Sequence, residues 1–209
     1  MNTEIIFATN NLGKLKEVRN IFSDTKFKII GLKEVGYNDE IEETGNTFEA
    51  NALLKAETIF SKLKLPVIAD DSGLCVNQLN CEPGVYSARY AGDKASYLDN
   101  NLKLLSELKN FRGPHFAKFI CTSVYLDKDH KIITVGGLFG KIINVFRGEN
   151  GFGFDPIFVP RGYSKTLAEL DLNEKNSISH RAKAFTALKI KMKKLKLIYF
   201  ILILTPVIN

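Results

Sequence analysis

The paired aspartates Asp70 and Asp71 close the apolar run Pro66 to Ala69 and are followed by Ser72 and Gly73. Neighbouring carboxylates repel each other unless a cation or hydrogen-bond donors compensate, and hard oxygen donors grouped in this way suit Mg²⁺. A solvated turn cornered on Asp71, Ser72 and Gly73 accounts for the same residues. Glu42 and Glu43 stand before a helical stretch that carries Lys55, and present a similar choice between a helix-dipole role and metal ligation. Near the N-terminus, Thr9, Asn10, Asn11, Leu12, Gly13 and Lys14 join a strand to a helix. Backbone N–H groups at such a junction, with a lysine beside them, can hold a phosphate, although an ordinary strand-to-helix turn has the same composition. The spacing is not that of a Walker loop.

Two later segments add aromatic and cationic groups. Gly151, Phe152, Gly153, Phe154 and Asp155 set two rings between glycines, which can bare a ring for stacking on a base or fold both rings inward at a tight turn. Lys175, His180 and Arg181 gather donors near the start of the last helix, where cations oppose the helix dipole and imply an acid or ligand nearby.

These residues need elements to hold them. Glu4 to Thr9 reads as a buried strand, and Leu15, Val18, Ile21 and Phe22 then recur at helical spacing. Phe27 to Ile30 reads as a second strand. Asn46, with Glu49 three residues on, predicts a helix start, and Pro66 stops that helix near Lys64. Pro66 to Ala69 reads as a strand ending in a loop that bears the two acids, resuming at Leu74 to Val76. A helix follows over Tyr97 to Leu108, then paired strands over Phe116 to Leu126 and Lys131 to Phe139. A final helix begins near Ser179 and turns Phe185, Leu188, Met192 and Leu195 inward. The alternation predicts an α/β fold with a long mixed sheet, and residues 1–209 are expected to form one domain.

Composition bounds the function. With 45% hydrophobic and 25% charged residues, the chain lies outside the collagen-like, coiled-coil and disordered classes. Its net charge of +6 suggests a polyanion partner, but seven cations fall between Arg181 and Lys196, leaving the rest near neutral. A solvated helix face explains such a run, so no specific nucleic-acid partner is expected. Three cysteines without a C-x-x-C pair argue against a disulfide framework or zinc ribbon and for a reducing compartment. With Glu4 where a leader would carry Lys or Arg, no export signal is expected, and Leu197 to Leu204 is far shorter than the ~20 residues of a membrane span.

The ordered motifs TNNLGK, EETGNTFEANALLKA, ADDSGLCV, PGVYSARYAG, GFGFDPIF and EKNSISHRA, spread from residue 4 to about 188, resemble those of the inosine/xanthosine triphosphate pyrophosphatase family. The resemblance implies an elongated mixed β-sheet flanked by helices, two lobes with a central cleft, a homodimer and a cytoplasmic enzyme. It also implies Mg²⁺-dependent conversion of non-canonical purine nucleoside triphosphates (ITP, dITP, XTP) to monophosphate and pyrophosphate. Carried over by position, it gives the triphosphate to Thr9 through Lys14 with Lys55 assisting, and the metal to Glu43 and Asp71. Asp71 also matches the proton acceptor, Ser72 a substrate contact, and Phe152 to Asp155 with Lys175, His180 and Arg181 the base pocket. A pyrophosphatase of modified pyrimidine nucleotides shares the chemistry but not the KNSISHR pocket, and a non-enzymatic RNA- or nucleotide-binding protein would use the basic run and the Phe rings. The basic and then apolar tail, about residues 189–209, departs from the family pattern and is open to being a terminal strand, a dimer contact or a segment without a role.

Overall fold

The computed structural model describes residues 3–204, with side chains through Leu195. Six strands form one mixed sheet: β1 (Thr3–Phe7), β2 (Phe27–Gly31), β3 (Val67–Val76), β4 (His115–Leu126), β5 (Lys131–Ile142) and β6 (Phe158–Pro160). Their spatial order is β2-β1-β3-β4-β5-β6, parallel from β2 to β3 and antiparallel from β3 onward. Among the described residues five α-helices flank it: α1 (Leu12–Phe22), α2 (Phe48–Leu63), α3 (Tyr97–Leu108), α4 (Leu172–Ile178) and α5 (His180–Leu204).

The two-residue period of a strand sends neighbouring side chains to opposite faces, and the core divides accordingly. Ile5 and Phe7 of β1, with Ile68 of β3, pack against Val18 and Phe22 of α1 and Phe185 and Leu188 of α5. Ile6 and Ala8, with Val67 and Ala69, pack against Ala52, Ala56 and Ile59 of α2. A third cluster lies under α3, joining Leu74, Leu104 and Phe158. Local chemistry fixes the helix starts: the Asn11 side chain accepts from the Lys14 N–H, and Thr47 accepts from the Ala50 N–H. At α3, Ser96 and Asp99 complete a reciprocal capping box.

Several expectations are corrected. Thr47, not Asn46, caps α2. Asp70 and Asp71 do not sit on a loop at a strand end: β3 runs unbroken through them, paired with β4 from Val67 to Val76. Cys75 and Cys81 form a disulfide, where the cysteine pattern argued against a disulfide framework, while Cys121 is free and buried. The chain reverses at residues 77–80 and the Cys81 N–H donates to the Val76 carbonyl, which returns Cys81 to the strand that carries Cys75. That pairing removes the basis in cysteine usage for a reducing compartment. The tail is not a terminal strand, because α5 continues to Leu204; the expected roles of side chains beyond Leu195 lie outside the described residues. Among the described residues no helix is long and apolar enough to cross a membrane.

Candidate active site

The strand period that divides the core also separates the two aspartates. Asp70 follows Ile68 onto the α1/α5 face, where it is 1% exposed and accepts from Lys14 Nζ at 3.3 Å, Arg181 Nε at 3.3 Å and Ser72 Oγ at 3.2 Å. Burial by itself would raise its pKa, but Lys14 and Arg181 outweigh that effect and hold the carboxyl well below the usual range. Asp71 turns to the α2 face, where it accepts from Asn51 Nδ2 at 3.0 Å and from the Ser72 N–H at 2.8 Å. Burial raises its pKa, and the effect of nearby Glu43 adds to that against the pull of Lys55. The adjacent acids thus differ in kind: one is locked in internal ion pairs, the other is held at higher proton affinity beside a second carboxylate.

Asp71 and Ser72 line a cavity of about 830 Å³ together with Thr9, Asn10, Asn11 and Lys14 from the β1–α1 junction, Glu42 and Glu43 from the approach to α2, and Lys55 from α2 itself. Lys55 is buried and ion-paired with Glu43. Desolvation opposes its charge, but Asp71 and Glu43 prevail and raise its pKa. Arg89, which the sequence did not single out, reaches the Glu43 carboxylate at 3.7 Å and donates to its backbone carbonyl at 3.3 Å.

Phe152, Gly153, Phe154, Asp155, Lys175, His180 and Arg181 line the same cavity. The two rings part: Phe154 joins the core under α3, whereas Phe152 is half-buried, 6.2 Å from the Tyr97 ring and with Lys175 Nζ 4.6 Å from its centroid. Lys175 bridges Glu17 at 2.9 Å and Asp155 at 2.8 Å, and Arg181 pairs with Glu17 at 2.7 Å. Glu17 is therefore the acid that the cationic segment called for, hidden on α1 and 3% exposed. Burial would raise its pKa, but Arg181 and Lys175 lower it overall. His180 stacks on Phe119 at 4.8 Å and its Nδ1 is buried without a hydrogen-bond partner. Desolvation, with Arg181 and Lys175 close by, drives its pKa well down, so it is neutral at pH 7.

Fifteen of the 17 sequence-predicted site residues line this cavity; Leu12 and Gly13 do not. Leu12 projects outward at 69% exposure. Gly13 lies against Phe152: a Cβ there would come within 3.1 Å of the ring, so glycine lets the β1–α1 junction and the aromatic end approach each other. Among the described residues no three His, Cys, Asp or Glu side chains cluster as a metal centre. Glu43 and Asp71 nevertheless give two hard oxygen donors lining one cavity, a set that would hold Mg²⁺ together with substrate phosphates.

The same assembly has relatives. The Ham1 family model matches residues 5–191. The dITP/XTP pyrophosphatase of Caldanaerobacter subterraneus is 45% identical over 190 residues, covering 88% of this chain and 94% of its own. That of Bacillus subtilis is 46% identical over 187 residues, again covering 88% of this chain and 94% of its own. The solved Ham1 protein of Staphylococcus aureus superposes with a TM-score of 0.82 at 42% identity, over 92% of this chain and 99% of that one.

Proposed function

The chain belongs to the Ham1 family, and we propose that it is a nucleoside triphosphate pyrophosphatase hydrolysing non-canonical purine nucleotides such as dITP and XTP to the monophosphate and pyrophosphate. The observation that carries this reading is one cavity with a carboxylate and lysine end, Glu43, Asp71, Lys14 and Lys55, and an aromatic and cationic end, Phe152, Lys175, His180 and Arg181. That division suits a ligand with a polyanionic tail and a flat polar head.

The Lys14 and Lys55 ammonium groups and the N–H groups of Asn10, Leu12 and Gly13 bind the triphosphate, those of Thr9, Asn11 and Lys14 being bonded within the junction. Each lysine is preorganised by an acid, Lys14 by Asp70 and Lys55 by Glu43, so little ordering remains to be done when phosphate arrives. Glu43 and Asp71 would hold Mg²⁺, which neutralises charge developing on the pyrophosphate leaving group. Asp71 orients the attacking water and accepts its proton at a carboxylate oxygen; its raised proton affinity suits it to that task better than Asp70. Ser72, whose hydroxyl is held by Arg181 and Asp70, contacts the substrate between the two ends.

At the other end, Phe152 stacks on the base. Lys175 has three N–H donors and gives one each to Glu17 and Asp155, so one remains for a 6-oxo group. Neutral His180 offers an unpaired ring nitrogen. The 6-oxo purine meets these donors with an acceptor, whereas adenine meets them with an amino group.

A homodimer fits the exposed apolar face formed by Phe116 of β4 and Val135 and Phe139 of β5. A nucleotide-pool enzyme belongs in the cytoplasm, with its substrates. Polyanion binding by the basic helix has less support: Lys189 and Lys193 pair with Asp24, and Lys183 and Lys191 donate to backbone carbonyls. The direct test is product analysis with dITP and Mg²⁺. Pyrophosphate and dIMP in equal amounts are expected, while stepwise release of orthophosphate, or no turnover, would overturn the reading.

A further inference from the structure

Asn51 has no role in the chemistry above, yet its side chain connects the two elements that carry the proposed metal ligands. It lies in the second turn of α2, fully buried, one helical turn before Lys55. Its Oδ1 accepts from the Gly45 N–H at 2.7 Å, and its Nδ2 donates to Asp71 Oδ2 at 3.0 Å. The orientation of the amide is fixed by these neighbours. Gly45 presents a donor and must face the oxygen, which leaves the NH₂ group to Asp71.

Gly45 is two residues from Glu43, so the bond pins the end of the acidic segment to the helix. The approach is close: a Cβ at position 45 would lie 2.6 Å from Asn51 Oδ1 and 2.8 Å from the Ala50 Cβ, distances only glycine avoids. Asp71 is held from both sides, with Oδ1 bonded to the Ser72 N–H and Oδ2 to Asn51. Lys55, from the same helix face, grips Glu43. One stretch of α2 therefore fixes both carboxylates.

We propose that Asn51 is a positioning residue whose amide, tied to Gly45 and Asp71, sets the separation and orientation at which Glu43 and Asp71 bind a divalent cation. This rests on the reading of those two acids as metal ligands. Partners that orient metal-binding carboxylates typically account for about 10- to 100-fold in metal affinity or activity.

The test compares the wild-type protein with Asn51→Leu, similar in volume but without the amide, and Asn51→Ala, which cannot clash. Mn²⁺ binding is followed by electron paramagnetic resonance with a non-hydrolysable dITP analogue, and the Mg²⁺ dependence of turnover is measured in parallel. Both variants should weaken Mn²⁺ binding about tenfold or more and raise the Mg²⁺ half-saturation by a similar factor, with kcat partly recovered at saturating Mg²⁺. A purely structural Asn51 would lower the unfolding temperature and leave the metal dependence of the folded fraction unmoved. Folded variants that bind Mn²⁺ within about twofold of wild type would overturn the proposal. A second measurement needs no variant: the Asn51 side-chain amide resonances of the wild-type protein should shift when Mg²⁺ is added to the analogue complex, and their failure to move, with the cation bound, would also overturn it. Wild-type protein that binds no Mn²⁺ and turns over without a divalent cation would instead bring down the metal reading itself, and this inference with it.

Discussion

Replacing Glu17 by glutamine keeps the size of the side chain and removes one negative charge from a closed group of six. Lys14, Lys175 and Arg181 face Glu17, Asp70 and Asp155 in that group, so the charges balance, and Lys175, Arg181, Glu17, Asp70 and Asp155 are each no more than 4% exposed. Glu17 touches two cations, Lys175 at 2.9 Å and Arg181 at 2.7 Å. At an effective dielectric of about 20, each contact has a gross attraction of ~6 kcal/mol, most of it offset by the desolvation of the charges. Glutamine loses that attraction and turns an NH₂ group toward at least one cation. Breaking a buried pair from one side costs about 3–5 kcal/mol. For a chain of this length, that lowers the unfolding temperature by roughly 6–20 °C. The assay is urea and thermal unfolding at pH 7.5, followed by the same measurements at acid pH. Because the Glu17 pKa is lowered in the folded protein, its stabilisation is fully present above its unfolded pKa and disappears as pH falls through the folded one. The gap between wild type and Glu17→Gln should therefore narrow below about pH 4. A loss smaller than about 1 kcal/mol at pH 7.5, or a gap independent of pH, would refute this account of the buried network.

Asp71→Asn should cut turnover by ~10²-fold or more while nucleotide binding stays measurable, because it removes charge but not size; stopped-flow turnover and equilibrium binding separate the two, and retention of more than about a tenth of the activity would count against the role. Lys14→Ala and Lys55→Ala should weaken the triphosphate more than the monophosphate product, as read by inhibition constants, and equal weakening would mean that neither lysine reads the outer phosphates. His180 adds a stability limb of its own. Its folded pKa is depressed, so the unfolded chain takes up a proton that the folded one refuses, and stability falls as pH drops below about 6.5. Between pH 7.5 and 5.5 this amounts to at most ~1.4 kcal/mol, the limit in which folded His180 takes up no proton, and His180→Leu should abolish it in paired unfolding curves.

The architecture around the site was legible because its signals are local. Apolar residues at helical spacing located α1, and the helix expected over Tyr97 to Leu108 is α3 with the same bounds. Asn46 and Thr47 are both good caps, and nothing local chooses between them; tertiary packing of Gly45 on Asn51 favours the later start. The aspartates misled for a physical reason. Adjacent acids read as solvent-facing turn residues, but here strand alternation sends each into its own set of donors, and one of those donors, Arg181 on Asp70, comes from 111 residues away. Glu17 was hidden for the same reason: beside Val18 on an amphipathic helix it looks like an ordinary surface acid, and only the unexplained cations Lys175 and Arg181 signalled that a partner existed. The disulfide between Cys75 and Cys81 depends on a chain reversal that the five intervening residues do not announce.

The central claim is that buried donors at one end of the cavity select a 6-oxo purine while the other end cleaves its triphosphate. The most direct measurement is the ratio of kcat/KM for ITP to that for ATP, taken with Mg²⁺ and with pyrophosphate as the detected product. The phosphates and sugar are common to both substrates, and Phe152 can stack on either base, so what differs is hydrogen-bond polarity at positions 6 and 1: a 6-oxo acceptor beside an N1–H donor in ITP, a 6-amino donor beside an N1 acceptor in ATP. An acceptor at position 6 pairs with the remaining Lys175 N–H, whereas an amino group leaves that donor unpaired in a buried site, a mismatch that can cost ~10⁴-fold. The account predicts a ratio of at least about 10³ in favour of ITP. Comparable values for the two nucleotides would contradict it, even with Mg²⁺-dependent pyrophosphate release intact.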